Sequence, residues 1–369
     1  MKIRVPRAAA RLAAILLVSA AFPLAALEMV GQITYLEGRV EIVRDGETLD
    51  QSLVKEGLDV ANFDLLKTGS DGQAELRITS AAAPATTITV SPRTQFSIEI
   101  GKLGARQQTT IDLVAGSVAM KCAKLTGSQG MRVQTESAFM GVRGTSFAVT
   151  APASGDILVT CDEGEVECTD EKGRVLLATA GEAIEKPSGR PLARLAVAAA
   201  ALAQYRRDWL DRQTAALRSD PLARTKKLAA VYKWRKRQFG RAFVALLKSR
   251  AEIDAWRAED RGGRIGTATD AQRKQAREIF LRLVRVLKIR HQLERLHAQL
   301  LELKEYCEEQ NITGRIGLFE TSAHFFERLK RDRMPLEKQL AMVRMVTRLS
   351  ALRNEGRLPG GAFGETDGK

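Results

Sequence analysis

Phe96-Ser97-Ile98-Glu99-Ile100 alternates apolar and polar side chains without a break. In an extended chain successive side chains point to opposite faces, so this run is a strand with one buried face and one outward face. The same period of two continues on the N-terminal side. Ala74, Leu76 and Ile78 alternate with Glu75 and Arg77, and Val40 and Ile42 alternate with Arg39 and Glu41. Glycines such as Gly38, Gly46, Gly57, Gly116, Gly164 and Gly181 punctuate these runs where the chain must turn. Asp162-Glu163-Gly164-Glu165, between Ile157-Leu158-Val159 and Val166-Glu167-Cys168, reads as a β-hairpin. The expectation for residues 28–186 is an all-β sandwich or roll.

Lys186-Pro187-Ser188-Gly189-Arg190-Pro191 ends that pattern, so residues 187–192 read as a linker. Beyond it the period becomes helical, over residues 193–358. Asp220-Pro221 is a helix start, with a capping acid and proline in the first turn, and the pattern runs on to about Asp260. Gly262-Gly263-Arg264-Ile265-Gly266 then breaks the chain. From Asp270 to Glu308, Ile279, Leu283, Val286, Ile289, Leu293, Leu296, Leu300, Leu303 and Cys307 recur at steps of three and four, the mark of a coiled-coil seam. The expected architecture is a separate all-α domain built on a long antiparallel coiled-coil hairpin. Shorter helices at about 193–218, 316–333 and 335–354 should pack along it, and residues 359–369 form a frayed tail. Residues 28–188 are expected to fold alone.

Charge divides the chain in the same place. Of the 369 residues, 58 are Lys or Arg and 44 are Asp or Glu, for a net +14. Residues 28–190 are acidic overall and residues 191–369 carry most of the positive charge. The first 27 residues hold Lys2, Arg4, Arg7 and Arg11 and no acid, followed by the apolar run Leu12–Ala26. That run is shorter than the roughly 20 residues a membrane helix needs, so residues 1–26 read as a signal peptide and the mature chain as exported and periplasmic.

The strand motifs occur in a particular order: Gly31-Gln32-Ile33, Gly38-Arg39-Val40, Leu66-Lys67-Thr68-Gly69, Ile111-Asp112-Leu113-Val114-Ala115-Gly116, Val133-Gln134-Thr135, Gly141-Val142-Arg143-Gly144-Thr145-Ser146-Phe147 and Glu163-Gly164-Glu165-Val166. This order resembles the FecR periplasmic domain family over about residues 28–186. The Val-Arg-Gly-Thr-x-Phe run is the most diagnostic piece. Full-length members carry a cytoplasmic anti-sigma segment and a membrane helix ahead of this domain, and relay iron-siderophore signals from an outer-membrane transporter to a sigma factor. Here about eleven residues precede the apolar run and a long helical region follows the β domain. The expected function is therefore a non-enzymatic binding or scaffold module of the bacterial cell envelope. The alternative is a membrane-anchored FecR-type signalling component that keeps residues 12–26 as an uncleaved anchor.

Three sets of residues are candidates for function. Gly141, Val142, Arg143, Gly144, Thr145 and Phe147 form the family motif, where the glycines permit close backbone approach and Arg143 either pairs within the fold or contacts a ligand. Lys226, Lys227, Lys233, Arg235, Lys236, Arg237 and Arg241 cluster among aromatic residues. Export argues against nucleic acid as their partner, leaving a solvated face or a contact to anionic lipid, an envelope polymer or an acidic protein. Cys122, Cys161 and Cys168 are candidates for a disulfide of open connectivity, while Cys307 lies on the helix seam. No nucleophile–base pair, metal-ligand spacing or phosphate loop is present, and all three histidines lie beyond position 290, so neither catalysis nor a cofactor is expected. An envelope protein, or a second copy met through the helices, is the expected partner.

Overall fold

The computed structural model describes residues 27–103, 106–123, 129–142, 144–261 and 270–354. The segment read as a signal peptide, Arg143, the glycine break expected at 262–266 and the expected tail lie outside these residues. Among the described residues there are seventeen strands and five α-helices. The strands begin with β1 (Met29–Glu37), β2 (Val40–Arg44), β3 (Glu47–Thr48), β4 (Asp59–Ala61), β5 (Leu65–Thr68) and β6 (Gln73–Ile78). Next come β7 (Thr86–Val90), β8 (Gln95–Leu103), β9 (Arg106–Cys122), β10 (Gln129–Gln134), β11 (Ala138–Val142) and β12 (Ser146–Ala151). The last are β13 (Ile157–Glu163), β14 (Glu165–Asp170), β15 (Val175–Thr179), β16 (Glu182–Lys186) and β17 (Ala193–Ala196). The helices are α1 (Leu202–Arg218), α2 (Pro221–Leu247), α3 (Arg250–Arg261), α4 (Asp270–Glu309) and α5 (Ser322–Arg353). A large β region thus precedes a helical one.

The 17-residue β9 organises the β region. Its first half pairs antiparallel with β8 and parallel with β10, and its second half pairs antiparallel with β7 and β12. The change of partners falls at Gly116, whose φ is +104° and where a Cβ would stand 2.3 Å from Thr94 Cα. Two sets of strands result, β3-β2-β5-β8-β9-β10-β11-β14-β15 and β4-β1-β6-β7-β9-β12-β13-β16-β17. Ile42, Phe96 and Ile98 from the first set and Ile33, Leu76 and Phe147 from the second line one continuous apolar core. Removal of these side chains from water is the main term holding the region together.

The expected hairpin at Glu163-Gly164 does not form. β13 pairs with β12 and β16, while β14 pairs with β11 and β15, so the chain crosses from one set to the other at Gly164. The step from β11 to β12 crosses at the same place, and a Cβ on Gly164 would lie 2.6 Å from Thr145 Cγ2 and 3.0 Å from the Gly144 carbonyl oxygen. Turn residues alone do not distinguish a tight hairpin from a crossover between two sets.

The helices depart from expectation in three places. Residues 193–196 add β17 to β16 instead of opening a helix. The pattern from Asp220 breaks near Ser249, whose carbonyl accepts from Ile253 N at 3.0 Å as α3 begins. The segments expected at 316–333 and 335–354 are one helix, α5, which continues through Pro335 because Leu336, Leu340, Val343 and Val346 beyond it are buried in the helical core. Helix starts follow the capping rules: the side chain of Asp220 accepts from Ala223 N, and that of Thr321 from His324 N. The seam residues of α4 from Ile279 to Cys307 are buried, except that Ile289 is only half-buried and Arg290 is buried in its place.

Candidate functional site

Phe96, Ile98, Ile111 and Leu113 point into the β core, so the residues between them point outward. On an uncovered sheet that outward face would be wet. Here Ser97, Thr110 and Asp112 are all buried, because α4 lies across β9. Strand register places Ser97 opposite Asp112 and Asp112 opposite Gln134, so Asp112 sits within a polar row under the helix.

Asp112 is the centre of a buried ionic cluster. Arg290 donates to its Oδ2, and His291 Nε2 lies 2.6 Å from its Oδ1. Arg290 Nε is 3.5 Å from Glu294 Oε2, and Arg344 on α5 donates to Glu294 Oε1. Arg290 is 3 % exposed and Asp112 3 %, so the pair is essentially dry. Burial alone would push the Asp112 carboxyl up, but the neighbouring His291 and Arg290 hold it well below the usual carboxylate range. Burial and the Asp112 charge raise the half-buried Glu99 to about 7. For Arg290, the loss of hydration is overcome by Asp112 and Glu294, which raise its pKa.

Further ion pairs follow the same pattern, with helical cations on acids of the β region. Arg295 bonds Glu136 and donates to the Ser154 carbonyl at 3.3 Å. Arg348 reaches Asp45 at 3.0 Å, Arg206 reaches Asp162 at 3.2 Å, and Arg93 reaches Glu305 at 2.7 Å with the signs reversed. Part of the opposite charge of the two halves is therefore spent within one chain. α1 adds an apolar contact, with Trp209 against Leu158 and Ala183. Beside the cluster lies a cleft of about 270 Å³, lined in part by Leu65, Lys67, Glu294, His297, Leu340 and Arg344. His297 Nδ1 is 3.3 Å from the Tyr232 hydroxyl, and burial lowers its pKa to about 4.

The three sets read from sequence lie apart from this cluster. The family motif forms the corner where β11 passes to β12: Val142 and Phe147 are buried, Gly144 has φ +68°, and the Thr145 carbonyl accepts from Cys122 N at 2.9 Å. The basic cluster lies on α2 and is partly neutralised. Lys233 bonds Glu320, Lys236 bonds Asp332 at 2.6 Å, and Arg235 stacks on Trp234 at 4.4 Å. Lys226, Lys227, Arg237 and Arg241 are exposed. No disulfide joins Cys122, Cys161 and Cys168: all are free and buried, and Cys161 and Cys168 lie in one core on strands of different sets. Burial raises the Cys122 and Cys161 thiols to about 11 and Cys168 to about 12. The sequence reading missed Arg290, His291, Glu294 and Arg344 as a group; their one signal was a pair of polar residues following the seam position Ile289.

Residues 64–167 match the family model described as FecR protein. The chain contains a FecR domain. The match runs from the edge of β5 into β14, and both Asp112 and the corner motif fall inside it. Two crystal structures from Parabacteroides distasonis, described as "putative anti-sigma factor", are similar at 16 % and 15 % identity, with TM-scores of 0.31 and 0.32. The matches cover 37 % and 38 % of this chain and 60 % and 63 % of those chains, so under two thirds of either relative is spanned. No curated protein matches the chain. Among the described residues no helix is long and apolar enough to cross a membrane.

Proposed function

We propose that this chain is a non-enzymatic regulatory component of a bacterial cell envelope, exported by residues 1–26, in which the FecR domain binds a partner and the helical region fixes its position. In this reading the β region is a sandwich and α2 and α4 are the arms of an antiparallel hairpin. The observation that carries the proposal is the burial of Asp112, inside the FecR match, under Arg290 and His291 of α4. A helical region attached as a passive stalk would leave the outward face of β9 wet. Here it covers that face with matched charges, which fixes orientation more than it adds stability. The FecR match supports the regulatory side of the reading.

The partner is expected to be another envelope protein. Arg77, Thr89 and Glu167 are exposed inside the FecR match, and a photo-crosslinking amino acid at each of them, in living cells, tests the proposal. A discrete adduct with one other protein from at least one position is expected. Adducts from Val244 of α2 alone would overturn the assignment of binding to the FecR domain. Fractionation of the same cells distinguishes the anchored signalling alternative, which requires intact residues 12–26 in the membrane fraction.

A further inference from the structure

The connection between α4 and α5 presents its most apolar residues to solvent. Leu318 is 83 % exposed and Phe319 99 %, while Ile316, two residues earlier, is buried in the helical core. This is a built turn. Ile316 N and Gly317 N both donate to the Glu320 carbonyl, at 3.0 and 3.1 Å, and Arg315 bridges to Thr321. Its flanks are pinned along α2: a Cβ on Gly314 would lie 2.6 Å from Leu222 Cδ1, and the Glu320 carboxylate bonds both Lys233 and Arg328. The two ends of the loop therefore lie against Leu222 and Lys233 of α2, a stretch that includes Lys226.

Beside the tip, α2 and α5 enclose an open cleft of about 490 Å³, lined by Tyr232, Lys233, Lys236, Arg237, Phe325 and Arg328 together with Leu329 and Asp332. Four of these residues are cations and Asp332 is the sole acid among them, already paired with Lys236. Lys226, Lys233, Arg237 and Arg241 follow steps of seven, four and four and so form one stripe on α2. Arg237 has no ion-pair partner among the described residues. Burial, with Arg328 and Arg237 nearby, lowers the Lys233 pKa, as expected of crowded cations.

We propose that this patch docks on an anionic lipid surface, with Leu318 and Phe319 entering the acyl boundary and the exposed Lys226, Arg237 and Arg241 holding head-group phosphates. Two features favour a lipid surface over a protein. The apolar part is two side chains on a protruding tip, far short of the roughly 800 Å² per partner of a stable protein interface. It is also flanked by the α2 stripe, whose exposed members Lys226, Arg237 and Arg241 have no acid paired with them among the described residues and so complement an anionic membrane face. The proposal goes beyond the role suggested for the FecR domain and stands without it.

Cosedimentation of the mature chain with vesicles of phosphatidylglycerol and phosphatidylethanolamine, against vesicles of phosphatidylcholine alone, provides the test. Binding to the anionic vesicles is expected to be at least about tenfold stronger at low salt and to weaken steeply as the Debye length shrinks. Leu318→Ser with Phe319→Ser, and separately Lys226→Glu with Arg237→Glu, should each lower binding about tenfold or more while leaving the circular dichroism spectrum and melting temperature unchanged, since all four side chains are largely free of intrachain partners. A dye attached through Phe319→Cys should shift to the blue on anionic vesicles. No vesicle binding at low salt would overturn the proposal, as would binding indifferent to Leu318 and Phe319, the mark of a basic chain merely attracted to charge. If the Leu318 and Phe319 changes instead alter oligomeric state in the absence of lipid, the tip is a contact between copies and the lipid assignment is wrong.

Discussion

Replacing Asp112 with Asn preserves the shape of the side chain and removes one charge. In the folded protein the buried cluster holds two arginines, Arg290 and Arg344, against two carboxylates, Asp112 and Glu294. Asp112→Asn therefore leaves one positive charge unmatched at a site where Arg290 is 3 % exposed. Breaking a buried pair from one side costs about 3–5 kcal/mol, because the remaining charge has lost both water and partner. At about 2 °C per kcal/mol for a chain of this size, the melting temperature should fall by about 6–10 °C. Asp112→Asn combined with Arg290→Met restores the balance, and an apolar replacement of a whole pair is often near neutral. A double-mutant cycle in urea should thus give a coupling energy of about 2 kcal/mol or more, with the double variant more stable than Asp112→Asn alone. A single-variant loss below about 1 kcal/mol, or purely additive effects, would refute the idea that Asp112 and Arg290 are mutually dependent.

Three further outcomes are expected. Gly116→Ala combines φ +104° with a Cβ 2.3 Å from Thr94 Cα, and should cost more than about 2 kcal/mol by urea midpoint; Gly173→Ala, at φ +75° with nothing within 4 Å, should cost only about 1 kcal/mol. For pH, His297 titrates near 4 folded against about 6.5 unfolded, so its contribution is full above 6.5 and lost as pH falls toward 4; Glu99 titrates near 7 folded against about 4.5 unfolded, so its contribution is full below 4.5 and lost as pH rises through 7. Urea midpoints from pH 4.5 to 7.5 should show His297→Gln removing the acid-side loss and Glu99→Gln removing the opposing one. All four buried thiols should react with a thiol reagent in unreduced, denatured protein and resist it when folded; two reactive thiols would reveal a disulfide that the structure lacks.

The strands were legible because their inward residues are apolar whatever covers the other side: Phe96 and Ile98 face the core in the structure as their alternation requires. What covers the outward face was not legible. Ser97, Thr110 and Asp112 carry the polar pattern of a wet surface, and the helix that buries Asp112 comes about 180 residues later in the chain, beyond any local period. Separations of 87 and 96 residues likewise hid the acids Glu320 and Asp332, whose pairing with Lys233 and Lys236 narrows the basic face to its remaining exposed residues. In α4 the seam was readable from its spacing, but at Ile289 and Arg290 the helix must satisfy the sheet as well as its helical neighbours, and a repeat describes only one buried face. At Gly164 the turn was correctly placed and its destination was not, since the partner strands of β13 and β14 are set by the whole core.

The FecR domain and the helices, clasped through Asp112, are expected to unfold as one cooperative unit, although composition and charge divide the chain near residue 190. Calorimetry of the mature protein tests this most directly. One transition, with calorimetric and van't Hoff enthalpies equal and strand and helix signals lost together, is the predicted result. Two resolved transitions, with the helices melting while the strand signal persists, would contradict it.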